Sequence, residues 1–177
     1  MTADDLTIRR ATPADRAAVI RLLAASLGRE DDPRYATLYA WKHEENTFGA
    51  SPAWVACDGD RIAAFRALMR WEFSRGDDLV QAVRAVDTAT HPGYQGRGIF
   101  TRLTLHGIDE LRTTGLPTPR GDEPVGFVFN TPNEQSRPGY LKMGWQVVGR
   151  PTVSFRPRNA AAAMRMLRSR TPAERWS

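Results

Sequence analysis

Along Val86-Asp-Thr-Ala-Thr90-His-Pro92-Gly-Tyr-Gln95-Gly-Arg97-Gly98-Ile99-Phe100-Thr101 the pattern of a strand runs into a glycine-rich loop, and the loop into a helix. Glycines at 93, 96 and 98 let the backbone take positive φ and approach a ligand closely. A helix start leaves amide N–H groups outside the helical ladder and puts a positive dipole end beside them. The combination cradles an anion, most often a diphosphate, and Arg97 can add one charge-assisted contact. No Gly-Lys-Ser/Thr follows, so the loop is not a P-loop, and the glycine spacing does not fit G-x-G-x-x-G. A tight turn using glycine for geometry alone is the commoner reading of such loops. The run Gln-Gly-Arg-Gly-Ile at a strand-to-helix junction favours anion binding here.

The elements that must hold this loop are legible on either side of it. Leu6 to Arg10 reads as a first strand, and Thr12-Pro13 as the cap and first turn of a helix that Gly28 ends. An acidic linker, Glu30-Asp31-Asp32, leads to a second helix through Tyr35, Leu38, Tyr39 and Trp41 that ends before Asn46. Trp54 to Cys57 and Ile62 to Met69, joined by Asp58-Gly59, read as a hairpin, and Leu79 to Thr90 as the strand that feeds the loop. Ile99 to Arg112 is the helix after it, followed by a loop from Leu116 to Pro124. Val125 to Phe129 is a nearly continuous apolar strand of the kind buried on both faces. A short helix around Tyr140 to Met143, strands at Gln146–Val148 and Thr152–Phe155, and a helix from Ala160 to Arg170 complete the chain. Strands and helices mixed around one sheet give an α/β or α+β class.

With 177 residues, 41% of them hydrophobic, the chain is long enough for one ordinary core. No apolar run approaches membrane-spanning length. The start, Met1-Thr-Ala-Asp-Asp, has no basic or apolar region, so no signal peptide is expected and the cytoplasm is the expected compartment. Cys57 is the single cysteine, which excludes an intrachain disulfide and a thiolate metal cluster; no metal is expected. The net charge of +5 resides in the segment after residue 155, leaving residues 1–155 neutral. A basic tail can steer polyanions, with salt-dependent binding lost on deleting residues 157–177. A solvated helix is the commoner reading, so nucleic acid is not expected as a partner.

Two motifs together resemble one family. Gln95-Gly96-Arg97-Gly98-Ile99 is similar to the Q/R-x-x-G-x-G/A acetyl-CoA signature of the GNAT N-acetyltransferases, with Phe100 where glycine or alanine is usual. Asn133-Glu-Gln-Ser136-Arg-Pro-Gly-Tyr140-Leu-Lys142-Met-Gly144-Trp145 looks like the family's N-x-x-A/S-x-x-x-Y-x-K-x-G-F/W segment. The resemblance covers about residues 5 to 156, giving a domain over 1–156 and an Arg- and Ala-rich tail over 157–177. It implies a mixed, splayed sheet of about six to seven strands flanked by helices, with acetyl-CoA as co-substrate entering between the loop-feeding strand and Val125–Phe129. Thr88, Ala89 and Thr90 would pair with the pantetheine arm, and amides of Gln95, Gly96, Arg97, Gly98, Ile99, Phe100 and Thr101 would cradle the diphosphate. Asn133 would hold the pantetheine from the other side.

Acetyl transfer to an amine needs a neutral nucleophile, donors for the developing oxyanion and a proton for the leaving thiolate. The resemblance implies Tyr140 as general acid, since a phenol keeps its proton at neutral pH; a core tyrosine beside Trp145 is the plain alternative. Asp87 is the candidate general base, with a strand-edge carboxylate as its alternative. His91 fits a loop-shaping role better, and Glu44, Glu45 and Glu123 stay open. The acceptor pocket would draw on Glu30, Asp31, Asp32, Tyr35, Tyr39, Trp41, His43 and Phe48, acids and aromatics suited to a cationic amine; a solvated linker followed by a core-facing aromatic helix is the commoner reading for most of them. The expected activity is transfer from acetyl-CoA to a primary amine of a small molecule in a ternary complex. The alternatives are a protein or peptide amine as acceptor and a non-catalytic acyl-CoA sensor, which Phe100 favours. Dimers are common in the family, which leaves a homodimer open.

Overall fold

The computed structural model describes residues 6–28 and 32–149, with 159, 161 and 164. The expected strand at Thr152–Phe155 lies outside the described residues, as do Glu30, Asp31 and nearly all of the expected terminal helix and basic tail. The chain forms two compact units, residues 1–130 and 131–177.

In the first unit, β1 (Thr7–Arg10), β2 (Ala53–Asp58), β3 (Arg61–Arg75) and β4 (Asp78–Thr90) form an antiparallel meander, and β7 (Phe127–Phe129) joins β4 in parallel. Helix α1 (Arg16–Ser26), helix α2 (Tyr35–Tyr39) and a π-helical turn, Ala40–Glu44, link β1 to β2, and α3 (Ile99–Thr114) follows β4. Between α3 and β7 lies a small antiparallel pair, β5 (Leu116–Thr118) and β6 (Gly121–Glu123).

Buried residues fill β2 and most of β3 because helices cover both faces of the sheet. On one face Val55, Cys57, Phe65, Ala67 and Ala89 pack against Val19, Leu23, Ala24 and Tyr35. On the other, Trp54 lies under α3, and each such buried large side chain contributes about 1.5–3 kcal/mol. Trp54 also donates from Nε1 to Glu110 Oε2 at 2.8 Å, while Glu110 pairs with Arg10. The seating of α3 depends on Gly107, where an added Cβ would stand 2.8 Å from Trp54 Cε3. Gly107→Val is expected to lose at least about 2 kcal/mol of stability by overpacking, measured as a lower urea midpoint at unchanged slope.

The start of α1 follows the expected pattern. Pro13–Asp15 forms a 3₁₀ turn, and the Asp15 carboxylate accepts from the Thr12 amide at 2.7 Å and from Thr12 Oγ1 at 2.8 Å. Arg9 donates two further bonds to Asp15, at 2.7 and 2.8 Å.

Several expectations are corrected. The segment 116–124 is not a plain loop, because Gly121 at φ 109° closes a two-stranded turn that Thr118 Oγ1 braces by donating to the Gly121 carbonyl at 2.8 Å. The apolar strand at 125–129 shortens to Phe127–Phe129 and is not buried on both faces; among the described residues it pairs only with β4, and Phe127 is exposed. Gln146–Val148 forms no strand, since no described strand pairs with it, and Val148 is fully exposed. The mixed sheet flanked by helices is as expected, with five strands in the main sheet and two in the small one among the described residues. The second helix continues past Trp41 as a π turn to Glu44 and stops before Asn46, as expected.

In the second unit, α4 (Arg137–Lys142) begins one residue before Pro138. A proline in the first turn needs no amide of its own, so Pro138-Gly139 sets the helix start rather than interrupting it.

Candidate active site

The sheet opens where the loop-feeding strand needs a free edge. Ala82, Val83 and Arg84 pair with Phe127, Val128 and Phe129. Past Arg84, β4 runs on to Thr90, held only by β3 on its other side among the described residues. Thr88 pairs with Arg66, Ala89 with Phe65 and Thr90 with Ala64. One backbone edge of residues 85–90 is therefore available to an extended ligand, in the manner of an added strand.

The loop after this edge is built from local bonds. Pro92–Tyr94 makes a 3₁₀ turn, and Gln95 Nε2 donates to the Thr90 carbonyl at 3.1 Å. Arg97 Nη2 donates to the Gly93 carbonyl at 2.9 Å and its guanidinium lies over the Tyr94 ring. Tyr94 in turn donates to Asp58 Oδ2 at 2.6 Å. Gly96 and Gly98 take φ of 75° and 71°, and an ideal Cβ on either would meet nothing within 4 Å. Gly98 caps α3, and the Arg102 amide donates to the Gly98 carbonyl at 3.1 Å. Ile99 is buried, whereas Gln95 to Gly98 are exposed.

His91 shapes this loop, as expected. Its Nδ1 accepts from the Gly93 amide at 3.2 Å, and its Nε2 lies 2.7 Å from an Arg61 nitrogen. A groove of about 810 Å³ runs beside the loop between α1 and Thr90–Gln95, with Arg21, Arg61 and His91 on its wall. The guanidinium of buried Arg66 lies 5.5 Å from the centroid of the Phe100 ring, a cation–π contact.

Asp87 is the extra residue of a β-bulge. The β3–β4 register skips it, from Ala67↔Val86 to Arg66↔Thr88. At φ 43° it is the one described non-glycine residue with positive φ, a conformation that costs on the order of 1 kcal/mol. The bulge aims its carboxylate off the strand. Asp87 Oδ2 lies 2.6 Å from His43 Nε2 and 2.8 Å from Lys42 Nζ. On the far side of the imidazole, His43 Nδ1 lies 3.0 Å from Ser51 Oγ. His43 comes from the π turn, and the Asn46–Ser51 segment folds back so that the Ser51 amide donates to the His43 carbonyl at 2.8 Å. Tyr39 stacks at a tilt 5.0 Å from His43.

Burial would push the Asp87 carboxyl up, but the His43 hydrogen bond and the Lys42 ammonium outweigh it and hold Asp87 at about 2. Its ordinary value is about 3.9, so the depressed folded value stabilises the fold by about 2 kcal/mol above pH ~4, and this is lost as pH falls through about 2. Urea titrations at pH about 5 and about 2 are expected to show Asp87→Asn less stable than wild type at the higher pH and nearly equal to it at the lower. Sequence reasoning named Asp87 and His43 separately and missed Lys42 and Ser51, because the pair spans 44 residues and no local spacing marks it.

The other open carboxylates are engaged elsewhere: Glu44 with Arg16 and Glu123 with Arg120, each at 2.6 Å, while Glu45 is exposed.

In the second unit, Tyr140 is buried in α4 with its ring 5.3 Å from that of Trp145, and the Trp145 amide donates to the Tyr140 carbonyl. Asn133 Oδ1 accepts from the Ser136 amide and from Ser136 Oγ, both at 2.8 Å, which fixes the turn into α4.

The sequence matches the acetyltransferase (GNAT) domain family over residues 7–148. The chain belongs to the GNAT acetyltransferase family. Solved structures with the same fold include a predicted acetyltransferase with acetyl-CoA from Clostridium acetobutylicum, at 16% identity and TM-score 0.64, covering 85% of this chain and 96% of that one. A transcriptional regulator from Bacillus halodurans C-125 is 19% identical, with TM-score 0.63 over 85% of this chain and 99% of its own. A Trypanosoma brucei acetyltransferase is 22% identical, with TM-score 0.61 over 85% and 99%. A comparison with curated proteins finds no match.

GNAT enzymes use acetyl-CoA, and the described residues fit its diphosphate. Positive φ at Gly96 and Gly98 with open space above both leaves the loop's backbone approachable at the start of α3. Among the described residues no helix is long and apolar enough to cross a membrane, and no group of three or more His, Cys, Asp or Glu could hold a metal ion.

Proposed function

We propose that this GNAT acetyltransferase moves an acetyl group from acetyl-CoA to a primary amine of a small molecule, such as an amino sugar or amino acid derivative, within a ternary complex. The observation that carries this reading is the open edge of β4 leading directly into the Gly96–Gly98 loop. Thr88, Ala89 and Thr90 pair with the pantetheine arm, and the amides from Gln95 to Thr101, those of Arg97, Ile99 and Phe100 included, take the diphosphate. Asn133 holds the pantetheine and the Tyr140 phenol protonates the leaving thiolate.

Positioning amine and thioester together supplies about 7–11 kcal/mol in favourable cases. A strand amide at the bulge acts as oxyanion donor, worth roughly 2.7–4 kcal/mol. The Asp87 carboxylate lies at that bulge, beside the π turn that follows Tyr39 and contains Trp41, and this acidic and aromatic setting suits a cationic amine.

The test is release of free thiol from acetyl-CoA in the presence of small amines, set against peptides with free amino groups. Turnover with small amines supports the assignment, and turnover with peptides alone moves the acceptor to proteins. Tight acetyl-CoA binding without turnover makes the chain an acyl-CoA sensor.

A further inference from the structure

Asp87, His43 and Ser51 form a continuous hydrogen-bonded line, and the direction of each bond follows from the chemistry of its ends. The ionised Asp87 carboxylate only accepts, so His43 Nε2, 2.6 Å away, carries the ring hydrogen. A neutral imidazole with hydrogen on Nε2 has its lone pair on Nδ1. Ser51 Oγ, 3.0 Å from Nδ1, must then be the donor, which leaves its oxygen lone pairs to accept. The order carboxylate, imidazole, hydroxyl is that of a proton relay whose receiving end is Ser51. Ser51 is half-buried, whereas His43 is only 4% exposed.

The groups facing His43 leave it as the one base of the cluster. Lys42 pairs with Asp87 and keeps it ionised, so Asp87 binds a proton too weakly to take one from an ammonium at neutral pH. Tyr39, packed on the imidazole, is pushed up to about 12 chiefly by burial and stays protonated. Glu44, next along the turn, is tied to Arg16.

We infer that the amine's proton is taken up by His43 through Ser51, with Asp87 as the positioning residue that fixes the imidazole rather than as the base. This rests on the acetyl transfer proposed above. Ser51 Oγ accepts a proton from the ammonium as its own proton passes to Nδ1. The N–H electron pair stays on the amine nitrogen, which attacks the thioester carbonyl. The C–S bond then breaks as the thiolate takes the Tyr140 proton, the nitrogen's next proton restores the phenol, and His43 returns its proton to water. Asp87 offsets the positive charge that His43 carries meanwhile.

The experiment compares Ser51→Ala, His43→Gln and Asp87→Asn with wild type, using acetyl-CoA and the best amine of a panel containing glucosamine, spermidine and phenethylamine. Ser51→Ala and His43→Gln are expected to lower kcat by about 100-fold, leave KM for acetyl-CoA unchanged and remove the limb on the acidic side of the pH profile. Long-range ¹⁵N–¹H correlation is expected to show His43 with hydrogen on Nε2 in wild type, and that signature lost in Asp87→Asn. Ser51→Ala removes one oxygen from a partly exposed site, so it carries the kinetic test if His43→Gln does not fold. Unchanged kcat and pH profile in Ser51→Ala, or an Nδ1–H tautomer in wild type, overturns the relay. Loss of the limb in Asp87→Asn alone returns the base to Asp87. A wild type that releases no thiol with any amine fails at the proposed function, which the binding of acetyl-CoA reads separately.

Discussion

Replacing Gly96 and Gly98 together with aspartate is expected to weaken acetyl-CoA binding at least 100-fold. Both glycines stand at φ above 70° in a loop whose backbone is open to a ligand. Two carboxylates would occupy that space and repel the diphosphate. Hydrogen bonds to charged groups contribute roughly 1.5–3 kcal/mol each, so losing two changes affinity by about two orders of magnitude or more. Nothing lies within 4 Å of either added Cβ, so the stability loss is limited to the strain of left-handed backbone, on the order of 1–2 kcal/mol per site. Gly76→Asp is the matched control: φ is 62°, its surroundings are equally open, and it sits in the β3–β4 turn. Calorimetric titration with acetyl-CoA is expected to show near-normal binding for the control and none at micromolar concentrations for the double variant. Equal binding by both would remove the loop from the site, and acetyl transfer would lose its structural basis.

Tyr140→Phe is expected to lower kcat by about 100-fold with no change in acetyl-CoA affinity. A general acid contributes roughly 10²- to 10⁴-fold, and the phenol oxygen is all that the substitution removes. Tyr140 packs on Trp145 through its ring, which phenylalanine keeps, so the fold should survive. Steady-state kinetics beside a thermal melt separate the outcomes. Lower kcat at an unchanged melting temperature supports the acid role. An unchanged kcat leaves Tyr140 as a packing residue of the second unit.

These two predictions start from residues that the sequence marks, and the reason is local. A glycine needed for positive φ, a proline opening a helix and a strand leading into a loop are written in consecutive residues. The loop, α3 and the β2–β3 hairpin were legible for that reason. Strand limits were less so, because the end of a strand depends on its neighbours. Val125–Phe129 reads as a buried run, yet only Phe127–Phe129 pair, with Ala82–Arg84 of β4, and Phe127 is exposed. Gln146–Val148 has strand-like composition and no described strand beside it.

The sequence alone determined the family, the loop and the tyrosine-bearing motif, since each is carried by side-chain types and glycines at fixed short spacing. Only the tertiary structure decided what Asp87 touches. A single skipped residue in the β3–β4 register turns its carboxylate to His43 and Lys42, and the folded-back 46–51 segment brings Ser51 to the other ring nitrogen. Such contacts depend on how a bulge, a π turn and a loop are stacked in space, and the order of residues along the chain does not record that stacking.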